Sequence, residues 1–273
     1  MNPDFFIHLS FKKNEDVNPT KASHRGMNPE HLALANQEIS TLLTEGLIEP
    51  TSSPWACEAF YVNKHAEQIR GKLRLVINYQ DFNHFLADDK FPLPNKSAIF
   101  QHLSNAKVFS KFDLKAGFWQ LGIHPEDRYK TPFCILDHHY QWTVMPFGIK
   151  NAPSQFQKAM VTLFQPLLAN ALIYVDDILF FSKDTDSHEK LLAEFYNLVK
   201  SQGIMVLEKK MVIGQTSIEF LGMTISDGKY TLQPHIATSL KDFLDKLSTA
   251  KQIQQFLGIV NYMSDFILKR VKL

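Results

Sequence analysis

Two adjacent aspartates interrupt the longest apolar run of this chain, and they constrain its fold more than any other feature. Residues 171–182 read Ala-Leu-Ile-Tyr-Val-Asp-Asp-Ile-Leu-Phe-Phe-Ser, with Asp176 and Asp177 at the centre. β-Branched and aromatic residues favour a strand, whereas burying an ionised carboxylate there costs several kcal/mol unless it is compensated. A tight turn between two strands removes this conflict, because both acids then project from its tip. We therefore predict a hairpin that carries two carboxylates at its turn.

The run supplies no positive side chain for these acids, since it contains neither Lys nor Arg. Carboxylates held rigidly without such a partner are suited to binding a divalent cation. The alternative is an ordinary hairpin turn, because Asp is common in turns. The run alone leaves both interpretations open.

A third acid, Asp113, has a similar context. It follows the apolar pair Val108-Phe109 and faces a turn that contains a glycine, so it is predicted to end a second buried strand. Mg²⁺ prefers oxygen ligands and usually takes one or two carboxylates together with substrate phosphates. Two such ions about 3.5–4 Å apart promote in-line phosphoryl transfer. We therefore predict that Asp113 and Asp176, on neighbouring strands, bridge two ions, with Asp177 in support.

The formal net charge is only +1, so a phosphate-binding surface has to come from local clusters of basic residues. Each cluster has a solvated surface as its alternative interpretation. The clusters are Lys64, Arg70, Lys72 and Arg74; Lys209 and Lys210; and Lys269, Arg270 and Lys272.

Other features limit the class of protein. With only Cys57 and Cys134, we expect neither a disulfide framework nor a cysteine-based zinc site. The apolar runs predict no membrane span, and the N-terminus lacks the pattern of a signal segment. We therefore expect a cytosolic segment of a longer protein that has no membrane partner. The pair His138-His139 is predicted to lie in a hairpin turn.

Strands and helices alternate irregularly along the chain, which favours an α+β fold with an antiparallel sheet. Asn28 and Pro29 predict the start of a helix that ends at Gly46. Further helices are predicted at 95–103, 153–164, 187–202 and in the last 40 residues. Strands are predicted at 59–63, 73–79, up to Asp113, 120–124, 131–136, 141–144, 218–225 and 230–232.

Three motifs together resemble reverse transcriptases, specifically those of gypsy-class long-terminal-repeat retroelements and plant pararetroviruses (caulimoviruses). They are Phe112-Asp113, Met145-Pro-Phe-Gly-Ile-Lys-Asn-Ala-Pro-Ser-Gln-Phe156 and Tyr174-Val-Asp-Asp177. The resemblance covers about residues 28–268 in the expected order, and Leu232-Gln-Pro-His-Ile236 favours the pararetroviruses. Further matching segments are Gly46-Leu-Ile-Glu-Pro50, Ser53-Pro-Trp55, Lys72-Leu-Arg-Leu-Val-Ile-Asn-Tyr79, Phe220-Leu-Gly222, Phe256-Leu-Gly258 and Asn261-Tyr262.

The resemblance implies a right-hand polymerase with fingers, palm and a partial thumb. It implies an N-terminal extension at 1–27, fingers at 28–90 and 122–148, palm at 91–121 and 149–232, and a partial thumb at 233–273. We expect no ribonuclease H domain within these residues, and one downstream in the full polyprotein. The implied partners are a primed RNA or DNA template and deoxynucleoside triphosphates. The implied cofactor is a pair of Mg²⁺ ions, for which Mn²⁺ substitutes, and the implied location is the cytoplasm, within viral or virus-like particles.

Carried over position by position, the resemblance assigns roles to individual residues. Phe118 would stand beneath the sugar and exclude a ribose 2′-hydroxyl, and Phe147 replaces a residue that is often polar in retroviral enzymes. Lys209 remains an alternative to Lys210. The catalytic and metal-binding residues would be Asp113, Asp176 and Asp177. The nucleotide-binding residues would be Lys64, Arg74, Leu114, Gly117, Phe118, Phe147, Lys150 and Lys210. The residues that position the primer would be Leu221, Gly222 and Met223.

Two other functions remain open from the sequence. The first is an inactive, polymerase-like fragment of an integrated viral copy that only binds nucleic acid. The second is an RNA-dependent RNA polymerase, which Phe118 and the segment Phe220-Leu-Gly222 oppose.

Overall fold

The computed structural model describes residues 6–13, 17, 28–63, 73–94, 100, 103, 105–135, 137–234, 236, 238 and 249–263. The chain divides into two compact units, which we call unit 1 and unit 2. Unit 1 comprises Met1–Leu93, Leu114–Leu163 and Val199–Met205. Unit 2 comprises Pro94–Asp113, Phe164–Leu198 and Val206–Leu273. The limits of fingers, palm and thumb remain predictions.

The described residues form helices and short strands in irregular alternation. The helices are α1 (Pro29–Thr44), α2 (Gln80–Phe85), α3 (Ala152–Leu163), α4 (Thr185–Gln202) and α5 (Ala250–Tyr262). The strands are β1 (Phe6–Ile7), β2 (Ile48–Pro50), β3 (Cys57–Asn63), β4 (Leu73–Ile77), β5 (Val108–Asp113), β6 (Gly122–Ile123), β7 (Phe133–Ile135), β8 (His138–Trp142), β9 (Ala171–Tyr174), β10 (Asp177–Ser182), β11 (Val212–Gln215), β12 (Ser217–Phe220), β13 (Met223–Ser226) and β14 (Lys229–Leu232). Short 3₁₀ helices include Gly117–Gln120 and Glu208–Lys210.

Unit 1 contains a five-stranded sheet in the order β2-β8-β7-β3-β4. Its pairs are antiparallel except for β3 with β7. Helix α1 begins as predicted, because the Asn28 side chain accepts a 2.7 Å hydrogen bond from the backbone N–H of His31. Gly46, with a φ of +69°, follows the end of this helix.

Residues near the N-terminus belong to the core of unit 1. Strand β1 pairs in parallel with β6, and Leu9 is fully buried. The Asp127 carboxylate accepts hydrogen bonds from the Leu9 backbone N–H at 3.2 Å and from Lys130 Nζ at 2.5 Å. The Phe11 ring packs against Trp55. The polar composition of the first 27 residues gave no sign of this packing.

Unit 2 contains a four-stranded antiparallel sheet in the order β11-β5-β10-β9. Helix α4 covers it with Phe195, whose ring centroid lies 4.6 Å from that of Phe112 and 4.7 Å from that of Phe180. All three rings are fully buried. A second, three-stranded sheet has the order β12-β13-β14 and contributes Ile218, Phe220 and Ile225 to a buried cluster that includes Phe109 and Leu179. This core fixes the ends of β5 and β10.

The structure corrects three local predictions. His138 and His139 lie in β8, paired with Ile135 and Cys134, because the turn is made at Asp137 with a φ of +60°. The predicted strand 218–225 is split into β12 and β13, since the chain turns at Leu221 and Gly222. Most of the predicted strand 120–124 is replaced by a 3₁₀ helix and the two-residue β6.

The predicted α+β class with mainly antiparallel sheets is confirmed. The other predicted helices and strands are present with boundaries that differ by a few residues. Of the last 40 residues, which were predicted to be helical, α5 covers 250–262, and most of the others fall outside the described residues. The predicted helix 95–103 falls largely outside the described residues. None of the described helices has the length and apolar character needed to span a membrane.

Candidate active site

The predicted hairpin is formed by β9 and β10. Asp177 pairs with Tyr174, which leaves Val175 and Asp176 as the two residues of the turn. Val175 has a φ of +52°, a left-handed conformation that is unusual for a β-branched residue. The strands on both sides are anchored in the core, so packing holds this strained turn in place.

Asp113 ends β5 directly opposite Asp177, the first residue of β10. The prediction that Asp176 itself lies on the strand beside Asp113 is therefore wrong, because Asp176 occupies the turn. The next residue of each strand toward the centre of the sheet is fully buried, namely Phe112 in β5 and Ile178 in β10. Like charges in directly opposite positions destabilise a strand pair. The core thus holds the carboxylates together at one end of the sheet against their mutual repulsion.

The charged forms of Asp176 and Asp177 are disfavoured in the folded protein. Burial, followed by the charges of Asp177 and Asp113, raises the pKa of Asp176 to about 6. Burial and then the charge of Asp113 also raise the pKa of Asp177. Among the described residues, Asp176 Oδ1 is buried and has no hydrogen-bond partner. An added positive charge at this position would relieve both the repulsion and the lost solvation.

Among the described residues, Lys210 donates a hydrogen bond to one of the three carboxylates. Its Nζ donates a 2.7 Å hydrogen bond to Asp113 Oδ2, and this contact raises the pKa of Lys210. The backbone N–H of Leu207 donates a 2.8 Å hydrogen bond to the Asp113 carbonyl, which holds the segment that carries Lys210 beside the end of β5. The Lys210 side chain is 61% exposed, so it is able to leave the carboxylate. Lys210, rather than Lys209, makes this contact, whereas the contact of either lysine with a triphosphate stays a prediction.

The donor set fits a magnesium ion. No three His, Cys, Asp or Glu side chains within the described residues form a ready-made metal cluster. Mg²⁺ usually takes one or two protein carboxylates and completes its octahedron with water and substrate phosphates, so it needs no such cluster. The unpartnered oxygen of Asp176 and the paired carboxylates of Asp113 and Asp177 are hard oxygen ligands of the required kind.

In unit 1, aromatic rings surround Phe118. Its ring centroid lies 5.3 Å from that of Phe147 and 5.6 Å from that of Phe156. The Arg74 guanidinium lies 4.9 Å from the centre of the exposed Phe147 ring. Arg74, Phe147 and Gly148 line a cavity of about 490 Å³.

The other predicted nucleotide contacts have different surroundings. Leu114 is buried, and Gly117 has a φ of +31°. The Lys150 side chain forms a 2.6 Å ion pair with Asp88. Lys64 lies outside the described residues, so its predicted role stays a prediction.

The segment predicted to position the primer is a tight turn in unit 2. Leu221 and Gly222 both have positive φ, and Met223 is buried. A Cβ on Gly222 would lie 1.8 Å from the Tyr262 hydroxyl, so this close approach requires glycine. The Tyr262 hydroxyl donates a hydrogen bond to the Leu221 carbonyl, which ties α5 to the turn.

Comparisons with known proteins identify the family. The family described as "Reverse transcriptase (RNA-dependent DNA polymerase)" matches residues 62–225. The chain belongs to the reverse transcriptase family. The matched segment includes all three carboxylates and the turn at Leu221 and Gly222.

Relatives of this reverse transcriptase chain confirm the expected kinship with plant pararetroviruses. The genome polyprotein of Petunia vein clearing virus (isolate Shepherd) is 63% identical over 267 residues, which cover 98% of this chain and 12% of the polyprotein. The enzymatic polyprotein of Cauliflower mosaic virus (strain Strasbourg) is 37% identical over 264 residues, which cover 97% of this chain and 39% of that protein.

A solved structure shares the fold of this reverse transcriptase chain. It is the foamy viral protease-reverse transcriptase in complex with an RNA/DNA hybrid, with a TM-score of 0.77 and 24% identity. The match covers 92% of this chain and 33% of the foamy virus chain. The α+β polymerase fold expected from the resemblance is thereby confirmed.

Sequence analysis of this reverse transcriptase chain missed His188. Although its side chain is polar, it lies on the apolar face of α4 and is only 2% exposed. The signal was its spacing, because His188, Leu192, Phe195 and Val199 recur at helical intervals on one face.

We predict that Lys210→Met tightens Mn²⁺ binding by about twofold to fivefold when no nucleotide is present. The ammonium competes with a cation for Asp113, and exposed ion pairs of this kind contribute about 0.2–1 kcal/mol. Electron paramagnetic resonance of free Mn²⁺ measures the dissociation constant. Lys209→Met removes the same charge and is the control. An equal shift in both variants would contradict a specific role for the contact between Lys210 and Asp113.

Proposed function

We propose that this reverse transcriptase chain adds deoxynucleotides to a primer 3′-hydroxyl by phosphoryl transfer at Asp113, Asp176 and Asp177. The observation that carries the proposal is the assembly of these three acids at one end of the unit 2 sheet, with Asp176 Oδ1 buried and unpartnered among the described residues. Three closely placed acids do not by themselves stabilise a fold. They suit a site that binds cations and phosphates, because the bound cations offset the unfavourable negative charge.

Each acid has a distinct part in this proposal. Asp113 and Asp176 would hold two divalent cations, and Asp177, which pairs with Asp113, would support them. When bound there, two Mg²⁺ ions, or Mn²⁺ in their place, supply Lewis acidity toward the primer hydroxyl and the departing pyrophosphate. The carboxylates keep their orientation because the aromatic core fixes β5 and β10 behind them.

Basic side chains neutralise the triphosphate. Lys210 lies at Asp113, and its exposed, flexible ammonium would act as a mobile point charge toward the triphosphate. Arg74 offers a planar fork to phosphate oxygens and is held over Phe147. Lys64, which lies outside the described residues, is proposed to assist Arg74 at the triphosphate.

The proposed substrates are a primed template and deoxynucleoside triphosphates. The RNA/DNA hybrid bound by the foamy virus enzyme supports an RNA template, and we extend the proposal to DNA templates. The turn at Leu221, Gly222 and Met223, clasped by Tyr262, would position the primer end. In its full polyprotein, with a ribonuclease H domain downstream, the chain would act in the cytoplasm within viral or virus-like particles.

Phe118 should select deoxyribose over ribose. Its ring packs against those of Phe147 and Phe156, and these contacts would keep it in place against a 2′-hydroxyl, the group that distinguishes RNA precursors. We predict that Phe118→Ala raises ribonucleotide incorporation by about tenfold or more, relative to deoxynucleotide, in a competition assay. Phe118→Tyr keeps the ring and should keep the parent's preference. An unchanged preference for deoxynucleotides in Phe118→Ala would contradict this role of Phe118.

Primer extension on an RNA template tests the proposed activity. We predict that the parent and Asp186→Asn, an exposed acid of the same unit, extend the primer in Mg²⁺ and deoxynucleotides. Asp176→Asn should lose at least about a thousandfold in rate, since it removes a cation ligand, and should retain a cooperative melting transition. Robust synthesis by Asp176→Asn would rule out the site. A parent that binds primer–template without extending it would favour a fragment that only binds nucleic acid.

A further inference from the structure

A buried polar network lies in unit 2, on the strands whose ends carry the carboxylates. Ser110, Ser182 and His188 are 0%, 4% and 2% exposed. His188 Nε2 lies 2.7 Å from Ser110 Oγ, and His188 Nδ1 lies 3.0 Å from Ser182 Oγ. Ser110 Oγ also accepts a 2.9 Å hydrogen bond from the backbone N–H of Gly214. One imidazole ring therefore links four elements, namely α4, β5, β10 and β11.

The network lies on the strands that carry the groups of the proposed chemistry, although the side chain of Ser110, three residues from Asp113, is on the opposite face of the sheet. Ser110 pairs with Phe180, three residues inward from the pair formed by Asp113 and Asp177. Strand β11, to which Gly214 belongs, starts two residues after Lys210. A shift of one residue along a strand moves a side chain by about 3.3 Å and turns it to the other face. The contacts of Ser110 thus bear on the spacing of the two acids and the lysine.

Strand β11 depends on Ser110 in particular. Its pairing with β5 is irregular between Val212 and Gln215, and Gly214 there has a φ of +65°. The backbone N–H of Gly214 is directed to the Ser110 hydroxyl instead of a strand carbonyl. The side chain of Ser110 therefore completes the hydrogen bonding at this bulge.

The donor and acceptor roles of the two ring nitrogens depend on the tautomer of His188. In the tautomer protonated at Nδ1, the Ser110 hydroxyl donates to Nε2, Nδ1–H donates to Ser182 Oγ, and the Ser110 oxygen still accepts from Gly214. Burial lowers the pKa of the His188 imidazole and keeps the ring neutral, as this arrangement requires. A ring with both nitrogens protonated would remove the acceptor for Ser110.

We propose that His188 is a positioning residue for the carboxylate site, acting through its Nε2 contact with Ser110. This inference rests on the proposed function of the site. The contact holds β5 and the β11 bulge against α4, and so sets the distance of Asp113 from Asp177 and from Lys210. The Nδ1 contact with Ser182 contributes to the stability of the fold.

Two amide substitutions separate the two ring contacts. In His188→Gln the amide reaches the position of Nε2, whereas in His188→Asn it reaches the position of Nδ1. We expect His188→Asn to lower the single-turnover rate of nucleotide addition at least tenfold below that of His188→Gln, and to weaken Mn²⁺ binding about fivefold. The dissociation constant for primer–template should be the same in both variants, and melting temperatures should fall in both.

A purely structural role for His188 gives a different result. The rate per folded molecule and the Mn²⁺ affinity would then be equal in the two variants, or would follow their melting temperatures, and either outcome overturns the proposal. Mn²⁺ binding in the absence of nucleotide needs no polymerisation. If the parent does not extend a primer, the proposed function fails, while the Mn²⁺ comparison still decides the role of His188.

Smaller substitutions provide a second test should the His188 variants not fold. Ser110→Ala removes the hydroxyl on the Nε2 side, and Ser182→Ala removes the hydroxyl on the Nδ1 side. We expect Ser110→Ala to show the loss of rate and of Mn²⁺ affinity, and Ser182→Ala to lose only thermal stability. Equal effects of the two serine substitutions on Mn²⁺ affinity would overturn the proposal.

Discussion

Asp113 and Asp177 face each other across two antiparallel strands, and the repulsion between them has to be balanced by everything packed behind. The pair stands at the end of a ladder that continues without irregularity to Val108 and Ser182. Behind it, the rings of Phe112, Phe180 and Phe195 are fully buried and in mutual contact. Burial of this kind stabilises by about 25 cal/mol per Å² of apolar surface, so three such rings are ample to hold a repelling pair in register.

The close placement of the acids also explains the electrostatics of the site. Asp176 stands in a strained turn with an unpartnered oxygen and a raised pKa, and Lys210 donates to Asp113 from an exposed position. Each of these features is unfavourable or weak in the isolated chain, and each would become favourable in the proposed complex with cations and a triphosphate. Stability is thus given up locally at the site, as is common where function requires a strained or charged arrangement.

Sequence patterns predicted the features that depend on local chemistry. The hairpin at Asp176 and the start of α1 at Asn28 follow from residue types whose turn and capping preferences act over a few positions. The break at Leu221 was not visible as a break in strand periodicity, because a positive φ at a leucine is imposed by tertiary contacts such as that with Tyr262. Likewise, nothing local distinguished Lys210 from Lys209, since the choice depends on where the 3₁₀ helix presents each side chain. Leu9 was missed because its burial comes from contacts with residues more than 100 positions away.

The central claim is that the three carboxylates form a cation site whose charge destabilises the protein when no cation is present. Thermal melting of the parent and of Asp176→Asn, each without and with Mg²⁺, tests it most directly. In metal-free buffer at neutral pH, Asp176→Asn should melt about 2–4 °C above the parent, because it removes a repelled and largely buried charge while solvent screening limits the gain. Mg²⁺ should then raise the melting temperature of the parent and leave that of the variant nearly unchanged. A parent that melts above the variant without metal, or a variant that responds to Mg²⁺ as the parent does, would contradict the claim.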